Sequence, residues 1–451
     1  MVGKLALTPF SVMLWLLGFI MVWAPVPLAS NRIWAWSILH LLIGAAALLH
    51  CYFAFRHNLP WFRAPWLRGF LAVPLLVGLY MGLQSLNLLP GVSSATPYHS
   101  QLLAVRTFYL LLYLWLLCTY LHSVSAMRFF MVAIVLSGVL QATYGAVIHL
   151  AGFELSPIFG VNEAGRARGS FVYQNHFANY LALCISMAIG WIICELNNEK
   201  RALSLKARLR ELVSVLLSPK MLLRLAVVIM IIALILSRSR MGNSGFFVAL
   251  GITALLAIFF YKKPPTLLKP LVISVFILDL IIVGAIFGVE KVKERIQETS
   301  LAAETRDEVV LDSMPVLKEH WLTGTGAGSF YAVFPAHQQS AYSGFYDHAH
   351  NEYVQFVFEL GLPITLLLGA WQLYALWLCL QTMRKRKTRF YQGVAFGAMM
   401  ANIHMLVHNT VDFNLQSPAN TLLFVSILAL SHLAWHNESP KRLRTRQASF
   451  S

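Results

Sequence analysis

The amino-acid sequence predicts an all-α integral membrane protein of about twelve transmembrane helices, with both termini inside and one long outer loop, carrying short helices, between the ninth and tenth spans. Three observations carry that prediction. Hydrophobic residues make up 58% of the 451-residue chain and charged residues only 12%, about half of the ~25% usual in soluble globular domains. Apolar stretches near the ~20 residues needed to cross ~30 Å of hydrocarbon recur along the whole chain, without the alternation of a β-barrel. The basic residues gather in alternate connections, as the positive-inside rule requires. A soluble enzyme and a secreted disulfide scaffold are thereby excluded. The five cysteines all fall inside apolar stretches and form no Cys-x-x-Cys pair, so they read as small core residues.

Reading the apolar runs between charged or turn-rich punctuation places the first five spans near residues 5–23, 33–55, 67–88, 102–121 and 129–150. The remaining seven fall near 177–194, 221–236, 245–261, 271–287, 353–380, 394–411 and 422–435. The first run is long for a signal-peptide core and reads as a span rather than a cleaved leader. The whole chain, 1–451, then forms a single polytopic domain, with 289–351 as its one long hydrophilic loop. Thr305 with Glu308 three residues on is a capping-box pattern ahead of a short amphipathic helix there.

With the amino terminus inside, most of the 35 basic residues lie on the inner side, among them Arg384 to Arg389 and Lys441 to Arg446, and few of the 19 acids share it. The net charge of +16 is therefore a topology signal, and no nucleic-acid partner is implied. The basic residues that break the rule are the informative ones. They are Arg32, Arg106, Arg166, Arg168, Arg238, Arg240, Lys291, Lys293, Arg295, Arg306 and Lys318; of these Arg238 and Arg240 sit in a short connection between two apolar spans, and Arg166 and Arg168 just before the sixth span. Arginine near a bilayer is costly unless it is paired or faces a wet cavity. Several planar guanidinium forks at one membrane surface suit a phosphate or diphosphate, so a pyrophosphate-bearing lipid is the substrate class this pattern points to.

The long loop ends in Asp347-His348-Ala349-His350-Asn351-Glu352 and runs into the tenth span. A histidine at the outer amino-terminal end of a helix meets the positive end of its dipole, which favours the neutral, proton-accepting imidazole. That suits a general base acting on a sugar hydroxyl. In the eleventh span His404, His408 and Asp412 recur at i, i+4 and i+8 and are expected on one helical face. Gly324-Thr325-Gly326-Ala327-Gly328 lacks the βαβ context of a dinucleotide fingerprint and reads as a tight turn. The first outer connection, 24–31, has no carboxylate, so no metal is expected there and the leaving group would be neutralised by arginine.

These residues resemble the O-antigen ligase superfamily, which also holds O-antigen polymerases. The matching stretches are Gly169-Ser170-Phe171 with Asn175-His176-Phe177, Ser239-Arg240-Met241-Gly242, Gly324 to Gly328 with Phe330, and His348-Ala349-His350-Asn351 followed after nine residues by Gly361. His408, Asp412, Pro418 and Asn420 resemble the family's next-to-last helix and following loop. The resemblance implies an inverting transfer of a glycan from undecaprenyl diphosphate to a sugar hydroxyl of the lipid A core, at the periplasmic face of a bacterial inner membrane, without metal or other cofactor. On this reading Arg240 and Arg306 hold the diphosphate, with Arg166, Arg168 and Arg238 in support. His350 is the base, and His348, Asn175, His176, Asn351, His408 and Asp412 complete the substrate site. A polymerase using the same donor is the nearest alternative, and a lipid-linked oligosaccharide transporter the alternative from another class.

Overall fold

The computed structural model describes residues 8–57, 61, 64–88, 90–162, 165–195, 219–261, 270, 273–275, 277, 306–339 and 346–438. The described residues are built mainly from helices, with an isolated antiparallel Leu155–Asn162 bridge in a connection between two of them. Backbone polar groups in hydrocarbon must be satisfied within the segment, which is why each apolar run closes into a helix. The first six are α1 (Pro9–Trp23), α2 (Ile33–His57), α3 (Trp66–Leu86), α4 (Pro97–Tyr120), α5 (Val124–Leu150) and α6 (Gln174–Glu195). They are followed by α7 (Pro219–Leu236), α8 (Arg240–Phe260), α9 (Arg306–Glu319), α10 (Phe330–Val333), α11 (Glu352–Lys385), α12 (Arg389–His408) and α13 (Pro418–His436). Side-chain oxygens cap several starts: Thr8 accepts from Ser11 N, Ser123 from Ala126 N and Ser239 from Gly242 N.

Eight of these helices are long and apolar enough to cross a membrane, with Pro9–Trp23 and Met221–Leu236 as shorter apolar ones. The expected ninth span, 271–287, falls almost wholly outside the described residues, and so does the Thr305 half of the expected capping box. The long loop does carry short helices, α9 and α10, and a 3-10 turn at Phe334–His337.

α6 is mostly apolar and buried from His176 to Cys194 with the exception of Trp191, which makes it the central post of the bundle. Its contact with α12 runs through small residues. A Cβ on Gly190 would lie 2.8 Å from Gly397 Cα, so the two backbones touch where any larger residue would hold them apart.

The structural feature that positions the loops is a break in α11. Gly361 stands at φ +78° inside that helix, and Pro363 lacks an N–H. The carbonyls of Phe358 and Glu359 thereby lose their ordinary partners four residues on, because Leu362 N turns instead to Trp321 O at 2.7 Å. The Gly324–Gly328 turn takes their place: Thr325 N donates to Phe358 O at 2.8 Å and Gly326 N to Glu359 O at 3.0 Å. Gly326, at φ +107°, occupies backbone space closed to other residues. Gln84 of α3 seals the joint, donating through Nε2 to Thr323 O (2.8 Å) and Glu359 O (2.9 Å) and accepting from Ala327 N (3.2 Å). The Glu359 carboxylate accepts from Gly328 N and Phe330 N. A small second core of Val309, Val316, Phe330, Phe334, Ala349 and Phe358 fills the space under the loop.

Gln84→Leu should therefore strip one partner from each of three backbone groups on the turn and α11; Thr323 O keeps Tyr80 and Glu359 O keeps Gly326 N, so the main cost is the roughly 1–3 kcal/mol of Ala327 N left unsatisfied. Thermal unfolding of the purified protein in detergent reads this directly. An unchanged midpoint would mean that the turn is held without Gln84.

Candidate functional site

The segment before α11 is shaped by its cap. Asn351 turns its side chain back to accept from Tyr353 N (3.1 Å) and Val354 N (3.2 Å), which starts the helix at Glu352. His350 therefore precedes the helix rather than beginning it, and stands at φ +48°, a left-handed conformation that non-glycine residues adopt at a cost. Ala349 N donates to Gln355 Oε1 at 3.0 Å, which pins the strained segment onto the helix it introduces.

Phe413 is the floor of the site. His348 stacks on its ring at 4.3 Å between centroids, Tyr173 stacks at 5.5 Å, and His176 and His350 meet it edge-on at 4.8 and 4.7 Å. Tyr173 also reaches His350 at 6.4 Å and is held by Asn175, whose Nδ2 donates to the Tyr173 hydroxyl at 2.7 Å. The turn bearing Phe413 is locked to α11 by Glu352. This buried carboxylate accepts from Leu415 N and from Gln416 Nε2, both at 2.9 Å, while Glu352 N donates to Asn409 O.

Asp412 departs from the simple helical reading. α12 ends at His408, and Asp412 lies beyond it in the turn, yet its Oδ2 is 3.7 Å from His408 Nε2 because the turn folds back. Both side chains are fully buried, and His404 lies 5.2 Å from His408 between ring centroids. Asp412 Oδ1 accepts from Phe413 N, so the same residue orients the aromatic floor.

The arginine-bearing turns come together beside this cluster. Ala167 N donates to Leu236 O at 3.1 Å, laying the Arg166–Arg168 segment along the turn that carries Arg238 and Arg240. Arg168 bonds Val172 O, next to Tyr173, and so stands near the aromatic floor. Arg238 occupies a left-handed position at φ +53° and is exposed. Arg240 is the first residue of α8, where the helix dipole opposes a cation. A cation and a helix amino terminus at one point both favour a bound anion. Arg306 opens α9, and its side chain lies outside what the structure describes.

The structure thus gathers His348, His350, His176, Asn175 and Asn351 around Phe413, brings His408 and Asp412 under that turn, and sets Arg166, Arg168, Arg238 and Arg240 on two adjoining turns. Tyr173, Phe413 and Glu352 were missed as site residues by sequence reasoning. Tyr173 lies between two of the motif stretches and Phe413 follows Asp412, but aromatic residues in a membrane chain give no contrast, while Glu352 adjoins the histidine segment and its partners come from a turn distant in the chain.

Asp347 completes the histidine segment: its Oδ1 is 3.0 Å from His348 Nδ1, and this contact holds the carboxyl below the usual carboxylate range despite partial burial. A carboxyl depressed on folding stabilises above its unfolded pKa of ~4 and loses that contribution as pH falls through the folded value. Unfolding midpoints should accordingly separate wild type from Asp347→Asn near neutral pH and converge in acid. The gap should be below about 1 kcal/mol, because the Asp347 side chain is 60% exposed. Parallel curves over the whole range would remove the contact.

Residues 225–369 match a family model described as O-antigen ligase, a stretch that includes Arg238, Arg240, Arg306, His348, His350 and Asn351. The match takes in the stretches Ser239–Gly242, Gly324–Phe330 and His348–Asn351, three of those on which the resemblance to the O-antigen ligase superfamily rests. No curated protein matches the chain.

Proposed function

We propose that the protein is an O-antigen ligase, transferring a polysaccharide from undecaprenyl diphosphate to a sugar hydroxyl of the lipid A core, with its site facing the periplasm of a bacterial inner membrane. The family itself implies a lipid-linked glycan donor and a lipid acceptor. The observation that carries the finer reading is the juxtaposition of the two arginine turns, joined through Ala167 and Leu236, with the histidine cluster on Phe413. A diphosphate is a good leaving group that needs charge neutralisation, whereas a sugar hydroxyl is a poor nucleophile that needs a base.

In the proposed step the acceptor hydroxyl oxygen attacks the anomeric carbon of the donor glycan. The bond from that carbon to the diphosphate oxygen breaks, its electron pair leaves with the diphosphate, and a single displacement inverts the configuration. The hydroxyl proton passes to His350. Arg240 and Arg306 hold the diphosphate, with Arg166, Arg168 and Arg238 in support, and no metal is required. His348, ordered by Asp347 and by stacking on Phe413, orients the acceptor, and Asn175, His176 and Asn351 hold the aromatic floor and the histidine segment in place. His408 and Asp412 fix the turn beneath them.

His350→Ala should abolish glycan transfer while leaving binding of the undecaprenyl diphosphate donor intact, and His348→Ala should be milder. This is measured with purified protein, lipid-linked glycan and lipid A core; wild-type turnover in His350→Ala would send the search for a base to His348 and His408. Arg240→Lys should be almost as damaging as Arg240→Ala, because lysine cannot reproduce a bidentate fork. The expected loss is about a hundredfold, or roughly 2–4 kcal/mol of transition-state stabilisation. Transfer should also persist in excess chelator. Activity lost to EDTA and restored by magnesium or manganese would sink the arginine mechanism.

A further inference from the structure

A cavity of about 230 Å³ is walled by α2, α3, α4, α11, α13 and the turn that bears Phe413, with no residue of the two arginine turns in its lining. Its residues fall into layers. Trp36, Met81, Arg106 and Pro418 lie near the loop-bearing ends of their helices, and Ile43, Leu114 and Leu428 lie deeper. From Arg106 to Leu114 the rise along α4 is ~12 Å, and from Pro418 to Leu428 along α13 it is ~15 Å. The cavity therefore reaches through about one leaflet of a ~30 Å hydrocarbon layer.

Arg106 is the one lysine or arginine among the described lining residues. Its guanidinium sits 4.6 Å from the Trp36 ring centroid, and its Nε is buried with no hydrogen-bond partner among the described residues. Arginine at this depth calls for an anion. Both carboxylates of the cavity are already engaged elsewhere, Glu352 with Leu415 N and Gln416, Glu359 with Gly328 N and Phe330 N. One cation above an apolar, one-leaflet channel suits a monophosphate with a short hydrocarbon chain. A diphosphate on a long prenyl chain would want the paired arginine turns instead.

We propose that this cavity seats an acyl chain of the phosphate-bearing acceptor glycolipid, with Arg106 on its phosphate. The inference rests on the ligase reading above. It adds that the acceptor enters opposite the donor, and the position of one short turn explains how the two meet. Asn409, Leu415 and Gln416 line the cavity, while Phe413, between them in the chain, carries the histidines. A lipid seated here brings its headgroup up beside His350, across the turn from the diphosphate.

Two variants test it: Arg106→Gln removes the charge, and Leu114→Trp fills the deep end of the cavity. Each should raise KM for lipid A core at least tenfold, and leave both donor binding and transfer to a deacylated and dephosphorylated, water-soluble core saccharide at wild-type levels. Equal loss on the soluble acceptor, or no change on the lipid, would overturn the proposal. A readout independent of turnover is photolabelling with lipid A core bearing a diazirine on an acyl chain. Label should appear on α2, α4 and α13 in the wild type and disappear in Leu114→Trp. Label on those helices from a photoreactive prenyl diphosphate instead would assign the cavity to the donor and overturn the proposal, as would absence of label from both. If the wild type labels as expected but transfers glycan to neither acceptor, the ligase reading fails while the acyl-chain site stands.

Discussion

A helix in a membrane cannot leave backbone carbonyls unpaired, and much of the architecture at the loop-bearing end follows from two carbonyls that α11 leaves open. Gly361 turns the chain and Pro363 withholds a donor, so Phe358 O and Glu359 O need partners from outside the helix. The turn of Gly324 to Gly328 supplies them with its own N–H groups, and Gln84 supplies a third donor from α3. A helix, a loop and a second helix thus become one unit. The break is the device by which an extramembrane loop is fixed at a defined height and angle.

The same helix carries a polar stripe that fixes everything else near the site. Glu352, Gln355 and Glu359 recur at i, i+3 and i+7 and so lie on one face. Glu352 holds the turn that bears Phe413, Gln355 holds Ala349 between the two histidines, and Glu359 holds the start of α10. Each buried carboxylate accepts from backbone N–H groups, which is how such groups are accommodated away from water. Gln355 Nε2 donates to Glu359 Oε1 at 3.1 Å and links the lower two. A left-handed His350 is tolerable because residues on both sides of it are tied down: Ala349 by Gln355, and Asn351 by its own cap.

Length and hydropathy made the helices legible in the sequence: eleven of the twelve expected stretches coincide with described helices, eight of them long and apolar enough to cross a membrane, and the ninth lies almost wholly outside the described residues. The glycine turn was legible too, because few sequences but glycine-rich ones reach φ values such as those at Gly324, Gly326 and Gly328. What periodicity could not see is where a helix stops. His408 and Asp412 fit one helical face on paper, but α12 ends at His408 and the chain turns back, so they meet by a different route. Phe413 was invisible for a related reason. Its partners Tyr173, His348 and His350 come from distant parts of the chain, and no local pattern distinguishes an aromatic floor from an aromatic facing lipid. The arginines stood out because a charge in a greasy chain is costly wherever it falls.

That cost explains why arginines and histidines reach the site on separate segments. α6, α8 and α11 all begin at this end of the bundle, so their positive dipole ends accumulate there, and Arg166, Arg168, Arg238 and Arg240 add charge to the same region. Such an arrangement repels itself until an anion is bound. A base placed among those arginines would resist taking a proton, since protonation would add one more positive charge to an already cationic patch. Under the proposed mechanism, His350 stands on the α11 side, against Phe413 and Tyr173 and with Asp347 on the same segment, and the proton-accepting group is thereby kept apart from the anion-holding one. The separation follows from the turn at Asp412 to Gln416, whose fold is set in turn by Glu352. In the proposed mechanism Glu352 thereby governs how far apart the two chemistries stand.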